Sequence, residues 1–141
     1  MSSKTGPIII IEDDEDDEEL IRDAFVYLKI SNELKFFRSC MDALDYLFTT
    51  TDKPMIIISD INLPGMTGIE MRQKINENDY LRKKSIPFVF LTTSGNKENV
   101  INAYDMMVQG YFIKPTTINE LRDSIKMVID YWKTCLHPNS F

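Results

Sequence analysis

Short apolar runs alternate along this chain with longer segments in which apolar residues recur at helical spacing. Five runs have the length of strands, at residues 8–11, 33–38, 55–60, 88–92 and 111–114. Helical segments follow them at residues 15–30, at 41–48, from 67 to the polar stretch 76–79, after 96, and from 117. Strands that alternate with helices lie parallel and are joined by right-handed crossovers. The pattern predicts an α/β fold of the (βα)5 type, a flavodoxin-like, doubly wound five-stranded parallel sheet in a three-layer sandwich.

Local signals set where the predicted helices begin and end. Thr67 and Thr117 are each followed by Glu three residues later, which is the spacing of a capping box. We expect Gly110 to end the fourth helix and residues 78–87 to form a loop. The predicted buried faces of the last two helices consist of Val100, Ile101, Ala103, Tyr104 and Met107, and of Ile118, Leu121, Ile125, Val128 and Trp132.

Length and composition indicate one domain. The chain has 141 residues, 43% of them hydrophobic, which is enough for one hydrophobic core. No internal repeat, low-complexity tract or Gly/Ser linker interrupts it. We expect residues 1–141 to form a single domain, with its core at about residues 7–135 and a short tail at 136–141.

Charge, cysteines and hydropathy exclude several classes of protein. Sixteen Lys and Arg against twenty-two Asp and Glu give a net charge of -6, which disfavours nucleic acid and anionic membranes as partners. Cys40 and Cys135 have neither metal-site nor redox-motif spacing, so reduced thiols are expected. The amino terminus lacks a hydrophobic signal region, and no apolar run approaches the ~20 residues of a membrane helix. A cytoplasmic protein is predicted.

Four of the predicted strands run directly into polar residues. These residues are Glu12 and Asp13 after the first strand, Asp60 at the third, Thr92 at the fourth and Lys114 at the fifth. The carboxyl ends of parallel strands form one edge of the sheet, where open α/β folds build their sites. Three acids, a hydroxyl and a lysine would meet there. This set of groups is what is needed to phosphorylate an aspartate beside a divalent metal ion.

Each of these residues also has a purely structural interpretation. Residues 15–17 continue the acidic run into a helix start, where a solvated acidic turn is ordinary. Asp60 alone could cap a turn. Clustered carboxylates at a buried strand end nevertheless repel one another unless a cation compensates, and Mg²⁺ takes one or two carboxylates and several waters. The only histidine, His137, lies in the tail, so a zinc site is dismissed.

The chemistry assigns a role to each strand-end group. The Asp60 carboxylate is the candidate nucleophile, since carboxylates form aspartyl-phosphate intermediates. The Thr92 hydroxyl can hydrogen-bond one phosphoryl oxygen, and the Lys114 ammonium can form a charge-assisted bond to another.

With these strand-end residues, the chain strongly resembles the receiver domain of two-component response regulators, from residue 8 to about residue 135. The matching motifs are IIED at residues 10–13, ISDINLPGMTG at 58–68, PFVFLT at 87–92 and GYFIKP at 110–115. The resemblance implies that Asp60 is the phosphoacceptor, Asp13 a direct Mg²⁺ ligand, Glu12 a ligand through water and Asn62 a ligand through its backbone carbonyl. Asp13 and Asp14 are an alternative acidic pair, but the strand end before Glu12 favours Glu12 and Asp13.

The resemblance extends to residues around the acidic site. Thr92 and Tyr111 match the family's switch pair, although Tyr111 could simply be a half-buried strand aromatic. The Lys114–Pro115 bond matches one that is usually cis in the family, whereas sequence alone gives cis as a minor expectation. Asp14, Asn62 and Ser94 stand at positions that tune phosphoryl lifetime in the family. The extended loop at residues 78–85 is similar to that of phytochrome-associated regulators.

The implied function is phosphoacceptor signalling, with Mg²⁺ as cofactor. A histidine kinase or phosphotransfer protein would phosphorylate Asp60, and water would later remove the phosphoryl group without turnover of a separate substrate. The added charge would bias a surface formed by the fourth helix, fifth strand and fifth helix. Because the chain stops after one domain, output is expected through a downstream protein target. Whether the same face makes a homodimer stays open.

Three rival functions have distinct requirements. A phosphatase of the haloacid-dehalogenase type needs a second aspartate two positions after the nucleophile, where this chain has Asn62. A flavodoxin-like binding module needs a phosphate-cradling loop after the first strand, where this chain has carboxylates. A scaffold that works without phosphorylation does not need the five strand-end residues.

Overall fold

The computed structural model describes residues 3–140 and contains alternating strands and helices after a short 3-10 turn at Ser3–Thr5. The elements are β1 (Ile8–Ile11), α1 (Glu15–Tyr27), β2 (Leu34–Phe37), α2 (Cys40–Thr49), β3 (Ile56–Ser59), α3 (Gly68–Glu77), α4 (Asp79–Lys83), β4 (Phe88–Thr92), α5 (Lys97–Asp105), β5 (Gly110–Ile113) and α6 (Ile118–Thr134). All four strand pairings are parallel, in the order β2-β1-β3-β4-β5. The predicted (βα)5 fold is confirmed.

Strand β1 explains why an unbroken run of isoleucines marks the centre of the sheet. Successive side chains of a strand point to opposite faces. Ile9 and Ile11 lie in the core cluster that contains residues of α2, α3, α4 and α5, while Ile8 and Ile10 lie in the cluster that contains residues of α1 and α6. Because helices cover both faces, every position of β1 is buried and apolar. The helices therefore form two layers around the sheet.

The segment predicted as a loop at residues 78–87 contains an additional short helix, α4. Asn78 ends α3 and also caps α4, because its side-chain oxygen accepts a hydrogen bond from the Leu81 amide nitrogen (3.0 Å). Leu81 is buried in the core. Five residues with a single buried position are too short to show helical periodicity in a sequence. The fourth and fifth predicted helices are therefore α5 and α6.

The predicted buried face of α5 is wrong in most positions. Ala103 is buried, but Ile101, Tyr104 and Met107 are exposed. Helix α5 has only nine residues and lies beside β5, the edge strand of the sheet. A narrow buried face is therefore enough to cover this strand. Gly110 does not end it: α5 ends at Asp105, and Met107 adopts φ 62 beyond the helix.

The other predicted boundaries differ less. Gly110 is the first residue of β5, where it pairs with Val89. Helix α1 ends at Tyr27 rather than residue 30, and Lys29 follows with φ 56. In α6 the predicted buried residues Leu121, Ile125 and Val128 are buried, whereas Ile118 is exposed. The Thr67 capping box is confirmed, with both of its hydrogen bonds formed.

Two further sequence expectations concern cysteines and membranes. Cys40 and Cys135 are unpaired thiols, and burial raises the pKa of Cys40 to about 12. Within residues 3–140, every helix falls short of the length and hydropathy that would let it cross a bilayer.

The segment after α6 is anchored to the domain at residues 137 and 139 rather than forming a free tail. His137 is fully buried, and its ring donates from Nε2 to the Met55 carbonyl oxygen (2.6 Å) and accepts at Nδ1 from the Asn139 amide (3.1 Å). The ring also packs edge-on against Trp132. We assign these donor and acceptor roles from the partners, because a carbonyl only accepts and an amide N–H only donates.

His137→Ala is expected to lower the free energy of unfolding by about 2 kcal/mol. The substitution leaves a buried carbonyl oxygen without its hydrogen-bond donor and leaves empty space where the buried ring was packed. Urea denaturation followed by circular dichroism measures this loss. Leu136→Ala is the matched control, since Leu136 is 77% exposed and its truncation should cost less than about 0.5 kcal/mol. Equal effects of the two substitutions would contradict the structural role of His137.

Candidate phosphoacceptor site

Backbone hydrogen bonds continue past the ends of the central strands and bring the predicted site residues to one edge of the sheet. The Asp60 amide donates to the Ile11 carbonyl (3.0 Å), just beyond the pairing of Ile11 with Ser59. The Lys114 amide donates to the Thr92 carbonyl (2.8 Å), just beyond the pairing of Thr92 with Ile113. The carboxyl ends of β1, β3, β4 and β5 therefore lie side by side, as the sequence predicts.

Lys114 lies at the centre of a group of acidic side chains, here called the Lys114 cluster: Glu12, Asp17, Asp60 and Lys114. Its Nζ is 2.8 Å from Asp17 Oδ2 and 2.9 Å from Asp60 Oδ2, and it also forms an ion pair with Glu12 Oε1. The three N–H groups of one ammonium thus have three carboxylate partners. Glu12 and Asp60 are buried, while the Asp17 side chain is 35% exposed.

The cluster carries more negative than positive charge. Burial raises the pKa of Glu12, and the neighbouring Asp60 adds to this, while the bond from Lys114 opposes it. Burial alone would lower the pKa of Lys114, but its bonds to Asp17, Glu12 and Asp60 outweigh burial and raise it. Three carboxylates against one ammonium leave an excess of two negative charges when all are ionised. Such a site attracts a dication.

Asp60 is held by both of its carboxylate oxygens. Oδ1 accepts from the Ile61 amide (2.7 Å), and Oδ2 accepts from Lys114. The bond to Ile61 is a local one of the kind that the turn-capping interpretation expects. The bond to Lys114, which is 54 residues away in sequence, joins two strand ends and is not explained by turn capping.

Asp13, Asp14 and Asn62 lie in the loops beside the cluster and are exposed. Among the described residues, hydrogen bonds and ion pairs connect Lys114 to Glu12 and Asp60 but not to Asp13. Asp14 caps α1 by accepting from the Asp17 amide (3.0 Å), and its own amide donates to Glu12 Oε2 (3.3 Å). The Asp14 carboxylate is therefore engaged as a helix cap, and the assignment of Glu12 and Asp13 as the acidic metal-binding pair stays a prediction.

Thr92, Ser94 and Tyr111 form a connected group on the other side of the site. Thr92 is fully buried, and its Oγ1 accepts from the Ser94 amide (3.3 Å). The Tyr111 hydroxyl donates to the Ser94 carbonyl oxygen, and the Ser94 hydroxyl accepts from Asn99 Nδ2 (2.6 Å). The structure thus links the predicted switch pair through Ser94. The Lys114–Pro115 bond is trans.

The sequence pattern does not identify Asp17 as a member of the site. The interpretation of residues 15–17 as a solvated acidic turn is wrong for Asp17, whose carboxylate contacts Lys114. Its contact spans 97 residues of sequence. The available signal is its position in the first turn after Asp13, but a helix start with four acidic residues gives no reason to choose one of them.

Comparison with known proteins agrees with this geometry. The family model of the response regulator receiver domain matches residues 8–126. The chain belongs to this family. Receiver domains are phosphoacceptors of two-component signalling, so the chain is a signalling phosphoacceptor rather than a classical enzyme. The phosphatase and flavin-binding alternatives are thereby excluded.

Relatives of this receiver domain include regulators associated with phytochromes, as the sequence predicts. Response regulator Rcp1 of Synechocystis is 29% identical, with 94% of each chain covered. The solved structure of the phosphorylated cyanobacterial phytochrome response regulator RcpA superposes with a TM-score of 0.84 at 29% identity, covering 94% of this chain and 98% of that one. The Mn²⁺-bound form of Rcp1 gives 0.82 at 29% identity, covering 94% and 99%.

The residues of this receiver domain fit a hard divalent cation of the kind its family binds. Receiver domains hold Mg²⁺ or Mn²⁺ at the phosphorylation site. Within residues 3–140, no three His, Cys, Asp or Glu side chains are disposed as a ready-made metal cage. Mg²⁺ does not require one, because it uses one or two carboxylates and keeps several waters. Glu12 and Asp60, whose buried carboxylates are already compensated by an ammonium, and the exposed Asp13 next to Glu12 supply this donor set.

Proposed function

We propose that Asp60 accepts a phosphoryl group from a histidine kinase or a phosphotransfer protein. The observation that carries this assignment is the ion pair of 2.9 Å between Lys114 Nζ and Asp60 Oδ2 at the carboxyl edge of the sheet. A carboxylate whose two oxygens are held by a backbone amide and by an ammonium is oriented, which is what a nucleophile requires. The lysine is also placed to bind the group that Asp60 would receive.

In the proposed reaction an Asp60 carboxylate oxygen attacks phosphorus of a phosphohistidine. An O–P bond forms, the P–N bond breaks, and its electron pair stays on the imidazole nitrogen. The Lys114 ammonium then moves from the carboxylate to a phosphoryl oxygen, and the Thr92 hydroxyl donates to another. Hydrolysis follows when water attacks phosphorus, the carboxylate leaves with the electron pair of the O–P bond, and the proton lost by the water passes to solvent. Asp14, Asn62 and Ser94 would tune the rate of this step.

Mg²⁺ is the cofactor we propose for both steps. The residues that would hold it are Glu12 through water, Asp13 and Asp60 directly, and Asn62 through its backbone carbonyl. When bound, the ion supplies positive charge that reduces repulsion between the carboxylate nucleophile and the phosphoryl oxygens.

The proposed output is a change in the surface of α5, β5 and α6. Thr92 would be drawn toward the phosphoryl group, and its link through Ser94 to Tyr111 would carry this movement to β5. The surface is rich in exposed apolar side chains, which suits a protein contact: Ile101, Tyr104, Met107, Ile113 and Ile118. We propose that a downstream protein reads it, and a homodimer would use the same face. We also propose that the protein is a single domain, that it works in the cytoplasm and that it does not bind nucleic acid.

Incubation of the protein with Mg²⁺ and acetyl phosphate is expected to add the mass of one phosphoryl group, and chelation of the metal by EDTA should abolish the addition. Intact-mass spectrometry measures both results. The adduct should be lost under mild alkali, because an acyl phosphate hydrolyses readily. A wild-type protein that stays unmodified in saturating Mg²⁺ would contradict the proposal and favour a scaffold that works without phosphorylation.

A further inference from the structure

The acidic first turn of α1 contains one residue whose carboxylate contacts Lys114, while Glu18 pairs with Arg22 on the same helix. Glu15 and Asp16 are exposed, whereas Asp17 directs its carboxylate to Lys114 at 2.8 Å. The backbone of Asp17 is fixed by the helix cap, because its amide donates to the capping side chain of Asp14 (3.0 Å). The contact between α1 and Lys114, the residue after β5, is thus built from a capped helix start.

Lys114 has partners of two kinds. Glu12 and Asp60 are residues that would hold the cation, and each already places one carboxylate oxygen against the Lys114 ammonium. A cation and an ammonium therefore compete for the same two carboxylates. Asp17 lies outside the proposed ligand set, so its bond to Lys114 does not have to break when the other two are weakened.

We infer that Asp17 is a positioning residue that retains Lys114 at the edge of the site while Glu12 and Asp60 bind the cation. The inference rests on the proposed function. Without Asp17, a lysine displaced from Glu12 and Asp60 would lose its remaining acidic partner within the cluster. Displacing Lys114 from Glu12 and Asp60 then costs more free energy. The removal of Asp17 also takes one negative charge from the site. Both effects weaken cation binding.

Asp17→Asn is expected to weaken Mn²⁺ binding by about fivefold, a modest factor because the Asp17 side chain is partly exposed. Mn²⁺ serves as the probe because the free ion is measured directly by electron paramagnetic resonance, and Mg²⁺ competition then gives the affinity for Mg²⁺. Asp16→Asn is the matched control. It removes the same charge from the same helical turn without touching the lysine, and should change the affinity less than about twofold.

A double-mutant cycle with Lys114→Ala separates retention of the lysine from simple charge loss. Lys114→Ala alone should tighten Mn²⁺ binding, because the competing ammonium is gone. In that background Asp17→Asn should have no more effect than Asp16→Asn. A fivefold effect of Asp17→Asn that persists without Lys114 would overturn the inference, as would equal effects of the two aspartate substitutions in the wild-type background. Circular dichroism of each variant establishes that it is folded.

Failure of the inference and failure of the proposed function give different results. Labelling of the wild type by acetyl phosphate is measured beside the Mn²⁺ titrations. A wild type that binds Mn²⁺ and is labelled, with Asp17→Asn indistinguishable from Asp16→Asn, overturns only the role of Asp17. A wild type that neither binds Mn²⁺ nor is labelled overturns the proposed function, and the role of Asp17 with it.

Discussion

Asp60→Asn is expected to abolish the phosphoryl adduct completely. The amide oxygen of asparagine is a poor nucleophile, and its carbonyl cannot release a phosphoryl group as a carboxylate does. The substitution keeps the shape of the side chain, so the bond from the Ile61 amide can still form. Intact-mass spectrometry after incubation with Mg²⁺ and acetyl phosphate measures the loss, with wild type and variant treated in parallel.

Asp60→Asn should remain folded, because it removes one of three carboxylates from a cluster that contains a single ammonium. Circular dichroism and urea denaturation check this. Asp45→Asn is the control, since Asp45 is an exposed aspartate on α2, and it should be labelled like the wild type. Equal labelling of Asp60→Asn and wild type would reject Asp60 as the acceptor, and peptide mapping would then identify the modified residue.

The sequence is sufficient to predict the strand ends because two simple rules coincide there. A strand buried on both faces reads as an unbroken apolar run, as in β1, so its last residue is visible. Parallel strands end at one edge, so Glu12, Asp60, Thr92 and Lys114 could be brought together without any coordinates. The structure confirms their common edge through the ion pairs of Lys114 with Glu12 and Asp60 and through the bond from its amide to the Thr92 carbonyl.

Features that depend on packing between distant elements could not be predicted in the same way. The approach of Asp17 to Lys114 depends on how α1 leaves β1, and no periodicity encodes that angle. The sequence pattern assigns His137 to a tail because six residues after a helix form no pattern, yet its ring is buried against Met55, the residue before β3, and Trp132. Helix α4 could not be predicted because only one of its side chains, Leu81, is buried.

Gly68→Ala is expected to destabilise the protein by about 3 kcal/mol, near the upper end of the usual cost of overpacking. Gly68 is the first residue of α3, and its amide donates to the Ile61 carbonyl (2.9 Å). A Cβ atom there would clash with the Asp60 carbonyl oxygen and lie 2.9 Å from Phe90 Cε1. The helix start cannot move away without breaking its bond to Ile61, so the clash has to be relieved by the backbone that carries Asp60.

Gly95→Ala is the matched control for Gly68→Ala, and urea denaturation compares the two. A Cβ at Gly95 would lie 2.8 Å from Ile113 Cδ1, the far end of a half-exposed side chain that can rotate away. We therefore expect a cost below about 1 kcal/mol. Because the clash at Gly68 presses on Asp60 itself, Gly68→Ala should also slow labelling by acetyl phosphate under conditions where it is still folded. Equal stabilities of the two variants would mean that α3 can shift freely, and the close packing of α3 on the phosphoacceptor loop would then not hold Asp60 in place.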